Sequence, residues 1–400
     1  MNLSQLIPFF DKTVQEWSPE ARLLRWITFV WLFVGLVVLF SASYPVGDAY
    51  YEDGLYYVKR QIISILIGLV VFNLVVNSSL RYILGMAHWF LLLFLALIFI
   101  TLIPGLGTTT NGASRWIALG PMPLQPSELI KPFLVLQSAR IFGQWERLKW
   151  KSRLTWLGIF GLTLLGILLQ PNLSTTAFCG ITIWLIALGA GLPYIQLGGT
   201  ALAGVLVATL SISVKEYQRL RVMSFLNPWA DPMGNGYQLV QSLLAIGSGG
   251  TWGSGFGLSQ QKLFYLPIQY TDFIFAVFAE EFGFIGGVLL LLLLLAYGTV
   301  ALVVALKAEK TVYRLVAIGV MILMVGQSLM NIGVATGALP TTGLPLPLFS
   351  YGGNSMIASL LASALLIRVA RESNEAEVVS LQEHREGMRR QRRTRRETQS

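Results

Sequence analysis

The sequence predicts an all-α polytopic membrane protein of about ten transmembrane helices, with both termini cytoplasmic and a large extracytoplasmic loop between the seventh and eighth spans. Three observations carry this expectation. Hydrophobic residues make up 54% of the 400 and charged residues only 12%, with a mean hydropathy of +0.63, a balance foreign to water-soluble chains of this length. Apolar runs long enough to cross a hydrocarbon core of about 30 Å recur along the chain. The Lys and Arg residues stand mostly between those runs, so the net charge of +9 reads as membrane topology and excludes a nucleic-acid surface.

Taken in order, the runs cover residues 26–43, 61–77, 83–103, 127–142, 154–169, 174–190, 195–213, 273–305, 315–336 and 350–367. Residues 1–25 are amphipathic and charged, without a short cleavable signal, and form a cytoplasmic segment ahead of the first anchor. With that end inside, Lys12, Arg22, Arg25, Arg81, Arg147, Lys149, Lys151, Arg153, Lys307, Lys310 and Arg314 fall on the cytoplasmic side. Fewer cations face them across the membrane, which sets the orientation. The transmembrane domain covers 26–370. A basic cytoplasmic tail, 371–400, carries seven arginines and one glutamate between Arg385 and Arg396 and is suited to anionic lipids or to a protein partner. The single cysteine, Cys179, lies within an apolar run, excludes an internal disulfide and reads as core packing.

Three irregular segments, 104–126, 214–271 and 337–349, fall on the external side and hold most of the Gly, Pro and Asn outside the spans. The second is too long for a structureless connection and is expected to pack as a cap or re-enter the membrane. The eighth run, as one helix, would be about 50 Å long, beyond the hydrocarbon thickness. Counting back from Lys307 puts the membrane boundary near Gly286 and Gly287. That places Asp272, Glu280 and Glu281 in an outward-facing cavity rather than at the bilayer centre.

Each candidate site residue has two readings. Asp272 follows Thr271 at the start of a helical run, so that pair either caps the helix or supplies chemistry. Glu280 and Glu281 project about 100° apart, so at most one shares a face with Asp272, and an ion pair is their simplest role. Glu128 and Lys131 lie three residues apart on one helix face; Lys131, the charge set deepest in an apolar run, offers a bridge to Glu281. Arg115 beside Trp116 is either part of an interfacial anchor or a phosphate-recognising cation. Arg219 and Arg221 add cations to the long loop, and Ser350 precedes a glycine pair that caps the last span or admits a lipid chain. The glycines from Gly247 to Gly257 follow no strand and make no nucleotide fingerprint. With His88 in a span and His384 in the tail, there is no metal-ligand spacing.

Together G-A-S-R-W-I (112–117), Q-P-S-E-L-I-K (125–131), Q-P-N-L-S-T (170–175), F-L-N-P-W-A-D-P (225–232), Q-K-L-F-Y-L-P (261–267), T-D-F-I-F-A-V-F-A-E-E-F-G (271–283) and L-P-L-F-S-Y-G-G-N-S (346–355) form a pattern that resembles the SEDS proteins (shape, elongation, division and sporulation). It is closest to their division members, with elongation members second. The resemblance implies a ten-span peptidoglycan glycosyltransferase of the bacterial plasma membrane. Such an enzyme polymerises lipid II on the outer face, at the septum, beside a class B penicillin-binding transpeptidase and other division proteins. It implies that Asp272 is the essential acid and that Arg115, Trp116, Glu128, Lys131 and Glu281 line its cavity. The mechanism then expected has Asp272 as general base, while Lys131 with Arg115, Arg219 or Arg221 offsets pyrophosphate charge. No cofactor is required, although a pyrophosphate leaving group would welcome a divalent ion. A lipid II transporter and a transpeptidase-recruiting scaffold are the alternatives. Two departures stand out: Ile268 and Tyr270 replace the acid and histidine common before the T-D pair, and Asn172 and Ser174 replace the family's Asp and Gly.

Overall fold

A computed structural model describes residues 14–373 apart from 16, 111–112 and 119–122. The arginine-rich tail, His384 and most of the N-terminal segment lie outside the described residues. Helices dominate: α1 (Pro19–Tyr51), α2 (Tyr56–Asn77), α3 (Leu80–Ile100), α4 (Pro126–Phe142), α5 (Trp150–Leu169), α6 (Leu173–Gly189), α7 (Tyr194–Val214), α8 (Glu216–Leu226), α9 (Tyr237–Ser248) and α10 (Ile274–Lys307). A rod built from α11 (Thr311–Met321), a π-turn (Ile322–Gly326) and α12 (Gln327–Ala335) follows, then α13 (Gly353–Ser373). Each predicted run falls on a helix. Counting the rod as one, eight helices among the described residues are long and apolar enough to cross a membrane, whereas α4 and α6 have 17 residues each. This is a membrane protein.

Boundaries moved where local chemistry outweighs average apolarity. Helix α1 begins at Pro19, ahead of the expected residue 26, because Ser18 accepts a hydrogen bond from the Ala21 amide and proline suits the first helical position. The segment after α3 is less irregular than expected. It holds an antiparallel hairpin, β1 (Gly107–Thr110) and β2 (Ala113–Ile117), in which Thr108 pairs with Trp116. The long segment 214–271 contains α8 and α9, and α9 packs on α10 and α12.

Within the apolar helices, hydroxyls of Thr28, Ser138, Thr163, Thr182 and Ser328 donate to carbonyls four residues back, which satisfies each of them without a partner from another helix. Helix α13 is enclosed by its neighbours over nearly all its length, while α7 leaves nearly all of its surface uncovered. Both are stable in lipid, where a leucine on the outside meets a solvent as apolar as the core.

Helix α10 is two helices in series. At Gly283, with φ 66° and ψ −165°, the backbone leaves the helical region. The break lies just before the Gly286–Gly287 pair, where the boundary was expected. The glycine-rich loop satisfies the freed groups: Ser254 and Gly255 amides donate to the carbonyls of Glu280 and Glu281, and the amides of Phe284 and Ile285 donate to Gly250 and Thr251. A side chain at Gly283 would sit 2.3 Å from the Gly253 nitrogen, so glycine is required there on both conformational and steric grounds.

Candidate active site

Asp272 stands just ahead of α10 but does not cap it. The N-cap position is Phe273, with no side-chain cap, and the Thr271 hydroxyl bonds back to Ile268. The capping reading therefore falls. The Asp272 backbone is instead held from both sides. Asn331 on α12 donates to its carbonyl at 2.8 Å, Ser350 donates to the Thr271 carbonyl at 2.6 Å, and the Tyr351 amide donates to the Tyr270 carbonyl at 2.9 Å. Ser350 also accepts from the Leu346 amide, and Gln61 of α2 bonds both the Ser350 carbonyl and the Gly352 amide. Ser350 is buried and fully engaged in fixing two loops to each other.

Those loops carry strain. Phe264, Ile268 and Leu348 have positive φ (66°, 58° and 60°), which costs about 1–3 kcal/mol each for such side chains and persists only where surrounding contacts enforce it. The carboxylate of Asp272 lies over Gly343, itself at φ +75°, where a side-chain carbon would come 3.4 Å from Oδ2.

The charge around Asp272 comes from three elements. Burial pushes its carboxyl up to about 6, against the pull of Arg221 and then Arg115, with Glu128 adding to the rise. Arg115, on β2, is fixed by donating to the carbonyls of Gln170 (3.1 Å) and Pro171 (2.7 Å), at the end of α5 where unpaired carbonyls and the helix dipole favour a cation. Its own guanidinium is lowered from the usual range by burial, with Arg221 acting in the same sense. Arg221, on α8, lies over the Tyr217 ring at 4.6 Å and reaches the Thr341 carbonyl at 3.3 Å. Arg219, two positions earlier on that helix, projects to a different side and is exposed. Trp116 is half-buried beside Arg115 in the hairpin.

Glu128 and Lys131 form a buried ion pair at 2.7 Å, and Lys131 donates to Gln327 at 3.0 Å, which in turn donates to the Pro345 carbonyl. They line a narrow cleft with Gln327, Met324, Ser355 and Ser359, between α4, the π-turn and α13. The expected Lys131–Glu281 bridge does not form, since each charge already has a nearer partner. Glu281 is paired with Lys262 at 2.7 Å and accepts from Ser41 of α1 at 2.6 Å. Glu280 accepts from the Ser259 hydroxyl and the amides of Gln260 and Gln261. Both glutamates are buried inside the protein. The structure thus brings Asp272, Arg115, Arg221 and the Glu128–Lys131 pair within electrostatic reach of one another, and sets Glu281 and Ser350 behind them as parts of the frame.

Sequence reasoning passed over Gln327, Asn331 and Lys262. The first two were legible as a polar pair four residues apart in an apolar run, hence on one face. Lys262 had no such signal, because it sits on a turn with no face of its own and meets Glu281 and Ser41 only in the folded chain. Among the described residues no three His, Cys, Asp or Glu side chains are grouped to hold a metal. Near Asp272 the other carboxylate, Glu128, is paired with Lys131.

A half-buried carboxylate flanked by two guanidiniums and a buried lysine pair suits transfer chemistry on an anionic, membrane-borne molecule. Residues 21–375 match the profile of the Cell cycle protein family that comprises FtsW, RodA and SpoVE, and the chain belongs to that family. It is 59% identical over 381 residues to the probable peptidoglycan glycosyltransferase FtsW of Synechocystis sp., covering 95% of this chain and 97% of the relative. It is 37% identical to stage V sporulation protein E of Bacillus subtilis, over 90% and 99% of the two chains. Among solved structures it resembles a chain of a peptidoglycan synthase complex that coordinates polymerization and crosslinking (TM-score 0.71, 30% identity, 88% and 97% covered). It also resembles the rod shape determining protein RodA of Thermus thermophilus (TM-score 0.64, 29% identity, 87% and 96% covered).

Proposed function

We propose that this chain is a peptidoglycan glycosyltransferase that polymerises lipid II, the undecaprenyl-pyrophosphate-linked disaccharide peptide, at the outer face of the bacterial plasma membrane during septal wall synthesis. The observation that carries the mechanism is the setting of Asp272: held at its backbone from α12 and α13's leading loop, raised to about 6, and drawn on by Arg221 and Arg115. At neutral pH the carboxylate is ionised yet basic enough to take a proton. Asp272 removes the proton from the acceptor sugar's 4-hydroxyl as that oxygen bonds the donor's anomeric carbon. The bond from that carbon to the pyrophosphate oxygen breaks, and the diphosphate-lipid leaves with the electron pair. Arg115 and Arg221 offset the charge that develops on it. Lys131, locked to Glu128 and Gln327, sets the cleft's polarity on the membrane side.

The family resemblance and the synthase-complex likeness support a class B transpeptidase as partner. The excess of cations on one side supports an external site with both termini inside. The test is polymer formation from lipid II by the purified protein with its transpeptidase, comparing wild type and Asp272→Asn, with and without a chelator. Loss of glycan strands with folding intact is expected. Near-normal polymer from the variant would falsify the assignment of the base, and lipid II flipping by liposomes holding either form would favour a transporter.

A further inference from the structure

The most heavily engineered part of the molecule outside the site is the cluster around Glu281. Four chain segments meet there without touching Asp272: α1 through Ser41, α10 through Glu280 and Glu281, the glycine-rich loop, and the segment 259–262. Lys262 donates from one ammonium to both Glu281 Oε1 and Ser41 Oγ, each at 2.7 Å. All three side chains are buried. Glu281 Oε2 has no partner among the described residues, so the ammonium and one hydroxyl are all that hold this buried charge. Glu280 anchors the same segment by taking the amides of Gln260 and Gln261.

From this anchor the chain runs ten residues to Asp272, through the two positive-φ residues Phe264 and Ile268. It is braced on the way: the Leu266 amide donates to the Gln261 carbonyl at 2.8 Å, and buried Gln269 donates to the Lys262 carbonyl at 3.2 Å. The loop is clamped at its far end by Ser350, Tyr351 and Asn331. A strained loop between two clamps relaxes when either is released, and the group it carries moves. Lys262 and Glu281 form the near clamp.

We propose that Lys262 and Glu281, with Ser41, are positioning residues for the reaction: their buried ion pair fixes the start of the 262–272 loop and thereby sets where the Asp272 carboxylate stands. This rests on the reading of Asp272 as the base. Neither residue contacts the site cleft, so their loss changes the chemical step and leaves substrate binding as it was. A misplacement of about 1 Å at a reacting group costs about 10²-fold.

The experiment removes the pair together. Breaking one partner alone strands a buried charge and threatens folding, whereas exchanging both for apolar side chains of similar volume is tolerated. In Lys262→Met/Glu281→Met the Ser41 hydroxyl can turn to a carbonyl of its own helix. Lipid II polymerisation is measured per folded molecule, with folding followed by thermal unfolding in detergent. The expected result is a wild-type melting profile, kcat lower by about 10²-fold, and KM within about twofold. Gln269→Met, which cuts only the brace to the Lys262 carbonyl, is the second variant and is expected to lower kcat in the same sense. Wild-type kcat in the folded double variant overturns the proposal, as does a rise in KM at constant kcat, which would place the cluster against substrate. An active Asp272→Asn protein under the same assay sinks the base reading itself, a separate outcome from an active Lys262→Met/Glu281→Met protein beside an inactive Asp272→Asn one.

Discussion

Two acidic regions lie within ten residues of each other, and they have opposite characters. Glu280 and Glu281 are wholly buried, and the contacts they make are short and local: a lysine, two hydroxyls and two amides. Asp272 is half-buried, its backbone is fixed by neighbours, and its charges act from a distance rather than through an ion pair among the described residues. A carboxylate held by direct contacts to a buried cation, hydroxyls or amides builds structure. One whose backbone is clamped while its oxygens remain available can do chemistry.

The comparison breaks most visibly at Asp272. Asp272→Asn is expected to lower polymerisation by about 10² to 10⁴-fold while leaving the unfolding temperature in place, read from glycan strand length and from thermal scans on the same sample. Glu281→Ala is expected to act on stability as well as on the reaction. It leaves Lys262 charged and buried, a loss of about 3–5 kcal/mol, and a folded yield close to wild type would show that the pair is solvated after all. Gly283→Ala meets the Gly253 backbone and is expected to separate the two parts of α10; accelerated proteolysis in the 250–283 region is the measurement.

Smaller effects sharpen the picture. Because the folded carboxyl titrates near 6, well above its ordinary value, the base form grows as pH rises through that point. Polymerisation is expected to climb about tenfold per unit below pH 6 and to level off above pH 7, while a profile flat from pH 5 to 8 would remove Asp272 from the proton transfer. Arg221→Gln withdraws the larger of the two cationic influences. Its expected signature is a shift of that acid limb to higher pH together with a several-fold slower reaction.

Much of this was legible in the residues. The apolar runs marked every long helix because a membrane span must satisfy its backbone internally, which leaves a helix of apolar side chains as the local solution. Arg115, Glu128, Lys131 and Asp272 stood out because a charge in or beside such a run is costly without a purpose. Other features escaped for equally physical reasons. The hairpin at 107–117 is stabilised by pairing across a turn and carries little apolar signal. The break at Gly283 depends on a loop thirty residues upstream supplying its hydrogen bonds. Glu281 looked like a cavity acid until Lys262, a residue with no local distinction, proved to be its partner.

The sequence alone determined that this chain crosses a membrane many times and that its polar residues gather in the segments between the spans, since both follow from short-range composition and the energetics of lipid. Only the tertiary structure decided which acids are held in ion pairs and hydrogen bonds and which stands clear of an ion pair among the described residues. That choice turns on contacts between α1, α8, α10, α12 and the loops before α10 and α13. Those contacts join residues up to three hundred positions apart, and no local pattern encodes such a meeting.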